Sequence, residues 1–263
     1  MKNLDKVKSK LRNDEVVIGS VVSLTDYTVS ERLGFTGYDF LWIDAEHNGL
    51  DYKDILMHTI AASSGGAASF VRVRDNDPAL VKPILDMGVD GIIFPLIKTV
   101  DDAKKAIAAC TYPPKGIRGV GPGRAVRYGM DNVMDYLLHK SESSIFKILQ
   151  VEHVECVNNL EEIVKVPGID ALMIGPSDLS ASVGLMEQIE HPTVLRMIDK
   201  ICEVGQKSGI YIGAFTGSNP VNLNLFLERG VRIICIGGDG GFLMSGARRA
   251  LESVKDHIKS LNM

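Results

Sequence analysis

The sequence predicts an α/β chain folded as a single (β/α)8 barrel of the TIM-barrel type, and three observations lead there. Eight short apolar, β-branched runs recur along the 263 residues. Helix signals lie between them, and no G-x-G-x-x-G motif opens the chain in the manner of a doubly wound dinucleotide fold. A length of this order suits two average domains or one α/β barrel, and the continuous alternation favours one barrel over residues 1–263.

The runs, in order, are Val16–Val22, Phe40–Asp44, Ala68–Val73, Gly91–Pro95, Ile145–Val151, Ala171–Gly175, Ile210–Ala214 and Arg232–Ile236. A charged, amphipathic segment ending near Leu11 precedes the first. Asp77-Pro78 and Asn219-Pro220 each set a capping side chain before a proline at the first helical position. Thr99–Asp102 and Asn158–Glu161 supply the acidic residue that a first helical turn favours. Gly34, Gly88, Gly168, Gly209 and Gly230 mark helix ends before the next strand. One interval, about residues 115–144, is too long for a plain crossover and reads as an extended loop followed by a helix. Its glycines, with Arg118, Arg124 and Arg127, are expected to rim the barrel mouth; the other reading is a surface excursion stabilised by subunit contact.

Composition removes several classes of function. Lys and Arg number 29 against 33 Asp and Glu, a formal charge of −4, and no basic run exceeds scattered pairs, so nucleic acid is not an expected partner. The four cysteines, Cys110, Cys156, Cys202 and Cys235, lie in separate apolar segments without C-x-x-C spacing. They read as buried free thiols in a reducing compartment. No segment reads as a signal peptide or a membrane span, and the expected location is the cytoplasm.

In such a barrel the chemistry sits where the strands end, so the polar residues closing each run carry the argument. The second run closes in WIDAEHN, with Asp44, Glu46 and His47. The third closes at Arg72, the fifth reads ILQVEH with Gln150 and Glu152, and the sixth leads through GPSD to Asp178. Glu152 and Asp178 form a candidate divalent-metal pair, because hard oxygen donors suit Mg²⁺ or Mn²⁺. As loop residues they could equally be caps. Such an ion would stabilise the negative charge of an enolate. Arg72 is a candidate anion holder, with Arg74 as its rival and an ion pair with a strand-end aspartate as the structural alternative. His47 is a candidate general acid or base, its ring oriented by Asp44 or Asp86. A Schiff-base lysine has no good position beyond Lys98. The Gly-Gly-Asp-Gly-Gly turn at 237–241 is either a phosphate nest or a tight turn with Asp239 as a cap.

WIDAEHN, LVKPILDMGVDGIIFPLIKTVDDAKKAI, YPPKGIRGVGPGRAVRYG, ILQVEHVECVNNLEEI and IGPSDLSASVG together resemble the HpcH/HpaI aldolase family, from about Gly19 onward and in the family's order. Within it the chain is similar to the 4-hydroxy-2-oxo-heptane-1,7-dioate aldolases. The resemblance implies a phosphoenolpyruvate/pyruvate-binding type of barrel. It also implies class II cleavage of a 4-hydroxy-2-oxo acid to pyruvate and a small aldehyde, dependent on Mg²⁺, Mn²⁺ or Co²⁺, in a homo-oligomer, a hexamer with exchanged C-terminal helices. It implies Glu152 and Asp178 as metal ligands, His47 as the base with Asp44 and Asp86 near it, and Arg72 on pyruvate. Gln150, Val120 and the backbone around Pro176 and Ser177 would line the substrate. A citrate or malyl thioester lyase is the neighbouring reading, and a non-catalytic sugar-acid binding barrel a third. The chain departs from the family pattern at Asn48-Gly49, Val73-Arg74, GAFTGSNPVN and GGDGGFLMSGARRAL.

Overall fold

Each apolar run becomes a strand within two residues of its expected ends. The computed structural model describes residues 3–261. Its strands are β1 (Val17–Val22), β2 (Phe40–Asp44), β3 (Ala68–Arg72), β4 (Gly91–Phe94), β5 (Phe146–Val151), β6 (Ala171–Ile174), β7 (Tyr211–Phe215) and β8 (Ile233–Gly238). All pair in parallel in chain order, and β8 returns to β1, which closes the barrel. The helices are α1 (Asn3–Arg12), α2 (Thr28–Phe35), α3 (Tyr52–Gly65), α4 (Pro78–Asp86), α5 (Val100–Cys110), the single turn α6 (Val133–Asp135), α7 (Val154–Ile163), α8 (Pro176–Ala181), α9 (Pro192–Lys207), α10 (Pro220–Leu227) and α11 (Asp239–Ser260).

Strand periodicity sorts the apolar side chains into two cores. Phe40 and Trp42, Ala68 and Phe70, Phe146 and Ile148, and Ala171 and Met173 point into the barrel. Leu4, Val7 and Leu11 of α1 join that interior cluster and plug the N-terminal end. The alternate residues, among them Leu41, Ile43, Val71, Ile92, Leu149 and Leu172, face outward against the helices. A stack of rings fills the lower interior: Phe40 to Phe70 at 5.0 Å between centroids, then Phe70 to Phe146 at 5.6 Å. The interior is a packed floor rather than a channel.

Caps expected from sequence hold at three helices. Asp77 accepts from Ala79 N, Asn219 accepts from Val221 N, and Thr99 with Asp102 forms a reciprocal capping box. The fourth expectation is corrected, since Asn158–Glu161 lies inside α7, which His153 caps through Nδ1. An imidazole nitrogen served there as the acceptor that sequence rules assign to Asp, Asn, Ser or Thr.

The long interval is also corrected in position. It follows α5, which runs back to the N-terminal end of the barrel, so the loop lies on that face and not over the mouth. Its Arg124 Nη1 donates to the carbonyls of Met87 and Gly88 just past α4, at 3.0 and 3.2 Å. Arg118 pairs with Asp86, and Arg127 with Asp131. The three arginines are thus spent on loop architecture. A short 3-10 segment, Arg124–Gly129, the turn α6 and a π-helical turn, Tyr136–Lys140, replace the single helix expected.

Candidate active site at the C-terminal mouth

The register of β2 and β3 sets Asp44 directly beside Arg72. Both continue the inward faces of their strands, one level above Trp42 and Phe70. Arg72 Nε and Nη2 donate to Asp44 Oδ1 and Oδ2, each at 2.8 Å. Its Nη1 lies 2.8 Å from Glu46 Oε2. Asp44 also accepts from Glu46 N and, at 2.8 Å, from Asn48 Nδ2, so it anchors the turn that carries Glu46 and His47. Asn48, a departure from the family pattern, has its structural role here. The rival Arg74 lies beyond the strand and donates to the carbonyls of Ala45 and Leu50.

On β5 the inward series Phe146, Ile148 and Gln150 continues to Glu152 just past the strand. Glu152 is buried at 4% exposure. Its Oε1 accepts from Leu96 N at 2.7 Å, and Gln150 Nε2 donates to its Oε2. Gly175, closing β6, makes this packing possible: a Cβ there would fall 3.1 Å from Gln150 Nε2 and from Glu152 Oε2. Leu96 presents its N–H from a left-handed backbone, φ 55°, a local strain of the kind found at functional sites. Asp178 stands exposed in the first turn of α8, which begins at buried Pro176. Half-buried Ser177 uses its carbonyl to accept from Ser180 Oγ at 2.7 Å.

The mouth carries more negative charge than its arginine balances. Burial pushes Glu152 above the usual carboxylate range; the Leu96 amide and Arg72 oppose that shift, while Glu46 and Asp178 add to it. Burial likewise raises Glu46 against the pull of Arg72 and His47. Uncompensated hard oxygen donors of this sort fit a divalent cation. Among the described residues no three His, Cys, Asp or Glu side chains gather as a closed cage. The set on offer is an open one, Glu152 and Asp178.

Several expectations change. His47 is 64% exposed and its Nε2 is 3.5 Å from Glu46 Oε2, so Glu46, not Asp44 or Asp86, is the carboxylate facing the ring. Asp86 ends α4 at the opposite end of the barrel, where it pairs with buried Arg118 at 3.0 Å. Val120, on the loop at that same end, is 68% exposed and does not line this mouth within the subunit. The glycine turn is no phosphate nest: buried Asp239 itself accepts from Ser23 N, Ser23 Oγ, Leu24 N and Gly240 N, and its charge repels a second anion. Lys147 faces outward to Asp170 at 3.0 Å and offers no Schiff-base amine to the mouth. All four cysteines are free and buried, with three thiols pushed up to about 12 and Cys202 to about 11. They are not nucleophiles at neutral pH.

Two contributors escaped sequence reading. The Leu96 amide has no residue-type signature, because any residue but proline supplies it. Trp42, stacked on Arg72, was legible as inward-facing from the period of two, yet its partner depends on strand register.

Fold and mouth together define a (β/α)8-barrel enzyme, a carbon–carbon lyase by its family. The chain belongs to the HpcH/HpaI aldolase/citrate lyase family, whose profile matches residues 19–246. It is 33% identical over 246 residues to the 2-dehydro-3,6-dideoxy-6-sulfogluconate aldolase of Pseudomonas putida, covering 93% of this chain and 95% of that one. It is 33% identical over 254 residues to the 5-keto-4-deoxy-D-glucarate aldolase of Klebsiella pneumoniae, covering 95% and 97%. A crystal structure of an HpcH/HpaI aldolase/citrate lyase family protein from Burkholderia cenocepacia J2315 superposes with a TM-score of 0.88 at 34% identity, covering 95% of this chain and 99% of that one. The two aldolases are named for sugar-acid derivatives, not for the heptanedioate that the resemblance suggested.

Proposed function

We propose that the protein cleaves a 4-hydroxy-2-oxo acid reversibly to pyruvate and an aldehyde, as a class II aldolase using Mg²⁺, Mn²⁺ or Co²⁺. The observation that carries this reading is Arg72, held by Asp44 and Glu46 beside the carboxylates Glu152 and Asp178 at one mouth. Glu152 and Asp178 would hold the cation, which when bound supplies Lewis-acid stabilisation of charge at the 2-oxo oxygen. Asp44 takes two of the five guanidinium N–H donors, on Nε and Nη2, while Glu46 faces Nη1 as an ion pair, so Arg72 retains donor capacity on Nη1 and Nη2 for an oxo-acid oxygen. Gln150 and the start of α8 at Pro176 and Ser177 line the same pocket and orient the pyruvate carboxylate.

His47 takes the proton from the 4-hydroxyl, with Glu46 stabilising the imidazolium that results. The C3–C4 bond then breaks, the aldehyde departs, and the bonding pair passes to the 2-oxo group as an enolate facing Arg72. Protonation at C3 yields pyruvate. Condensation is the reverse path. The names of the relatives favour a polyhydroxylated acid as the fragment beyond pyruvate.

The citrate or thioester lyase reading had its support in the arginine-rich loop, which lies at the other end of the barrel with its guanidinium groups engaged. The aldolase reading is therefore preferred, over the non-catalytic barrel as well. The proposal extends to a homohexamer with exchanged C-terminal helices. Leu251, Val254 and Ile258 form an exposed apolar stripe on α11, continued by Leu261 just past its end, that a second copy would cover. The free thiols fit the cytoplasm. No helix among the described residues is long and apolar enough to cross a membrane.

The test is deuterium exchange into the methyl group of pyruvate. Exchange is expected with Mg²⁺, Mn²⁺ or Co²⁺ and is lost on adding EDTA. An absence of exchange with all three ions would remove the aldolase reading.

A further inference from the structure

Trp42 is the only tryptophan of the chain. It belongs to the inward face of β2, is 3% exposed, and sits one level below Asp44. The Cζ of Arg72 lies 5.0 Å from the centroid of its ring. Its indole Nε1 is buried with no hydrogen-bond partner among the described residues. A buried donor without an acceptor is destabilising, and a phenylalanine would give an aromatic floor without that defect. What indole adds is the strongest cation-binding face of any side chain.

The other close partners of Arg72 are carboxylates. Asp44 grips one edge through Nε and Nη2, and Glu46 meets Nη1. A two-point grip on one edge fixes where the guanidinium points but resists its tilt about that edge only weakly. The buried indole, with Arg72 Cζ over its ring, adds a restraint on that tilt. We propose that Trp42 is a positioning residue for Arg72, holding the plane of the guanidinium so that its remaining donors on Nη1 and Nη2 meet the oxo-acid anion. This inference rests on the reading of Arg72 as the oxo-acid holder. Trp42 reaches the substrate only through Arg72 and is not itself catalytic.

The experiment compares wild type with Trp42→Phe, Trp42→Leu and Trp42→Met in the full chain loaded with Mg²⁺. It measures steady-state pyruvate exchange, and calorimetric binding of oxalate as a planar dicarboxylate probe. In Trp42→Leu the KM for pyruvate and the Kd for oxalate are expected to rise about tenfold, with kcat changing less than threefold. Trp42→Phe, which keeps an aromatic face, is expected to restore both constants to within about threefold of wild type. Trp42→Met carries the comparison if leucine leaves too large a cavity for folding. In the wild type, oxalate binding is also expected to change the fluorescence of the sole indole. Unchanged KM and Kd in the leucine and methionine variants, with only a lower melting temperature, would overturn the positioning role and leave the aldolase reading standing. A wild type without exchange or oxalate binding would overturn both.

Discussion

Arg72 shows how much depends on one residue being arginine. Its two edge donors match the two oxygens of Asp44, and a third nitrogen meets Glu46. Lysine would carry the charge without the fork, removing at least one of the two charge-assisted bonds to buried Asp44 and leaving its oxygens to Glu46 N and Asn48 Nδ2. Arg72→Lys is expected to lower kcat/KM about a hundredfold, about 2.7 kcal/mol of transition-state stabilisation, measured with the best 4-hydroxy-2-oxo acid substrate found. A loss smaller than fivefold would mean that charge alone suffices. At this scale the sequence was informative about residue type and direction. Arg72, Glu152 and Asp178 were legible because strand ends in a barrel converge and alternation says which side chains face inward. An ion pair of Arg72 with a strand-end aspartate was one of the two readings the sequence offered, and Asp44 fills it; the partner of His47 was not legible. Whether His47 faces Asp44 or Glu46 depends on how Arg72 and Asn48 engage Asp44, a competition that spacing does not express, and Asp86 lies at the other end of the barrel.

At the scale of elements, α2 and α3 approach with almost nothing between them. A Cβ on Gly34 would fall 2.8 Å from the backbone of Gly65. Within this contact His58 of α3 is fully buried, with Nδ1 2.8 Å from Ser30 Oγ of α2. Burial pushes its pKa below 6.5, opposed by the Leu24 carbonyl and more distantly by Asp239, Asp54 and Asp26. The folded chain therefore keeps this imidazole neutral where the unfolded chain already protonates. Stability rises with pH across that window and falls as pH drops below about 6.5, by at most about 1.4 kcal/mol per pH unit from this group. Thermal melts between pH 5 and 7 are expected to show the decline in wild type and a flatter profile in His58→Gln. Equal slopes in the two proteins would contradict the assignment. Element existence was well marked in the sequence, since apolar runs, prolines and capping acids are local signals. The residues that cap α7 and join α2 to α3 were not, because a histidine on an apolar face carries no sign of what lies opposite.

The whole molecule exposes 12775 Å², more than the about 11,000 Å² expected for a folded monomer of this mass. Beyond Asp239, α11 buries none of its side chains, and its apolar stripe has nothing over it in a single chain. Replacing Leu251 and Val254 together by aspartate is expected to reduce the proposed hexamer to smaller species, read by light scattering after size exclusion, while the barrel's circular dichroism stays unchanged. An unaltered mass in solution would place the subunit interface elsewhere. The long loop shows where sequence reading fails at this scale. Arginines and glycines look alike on either face of a barrel, and only the direction of α5 decides which face they reach. A last consequence follows from the plug formed by Leu4, Val7 and Leu11 beneath the stacked rings of Phe40, Phe70 and Phe146. A vessel closed at its base has one doorway, so cargo stacks in the order it arrives and unloads in reverse. On the proposed aldolase reading, the fragment seated at Arg72 is expected to enter first in the synthetic direction and leave last in cleavage, an order that product-inhibition kinetics would check.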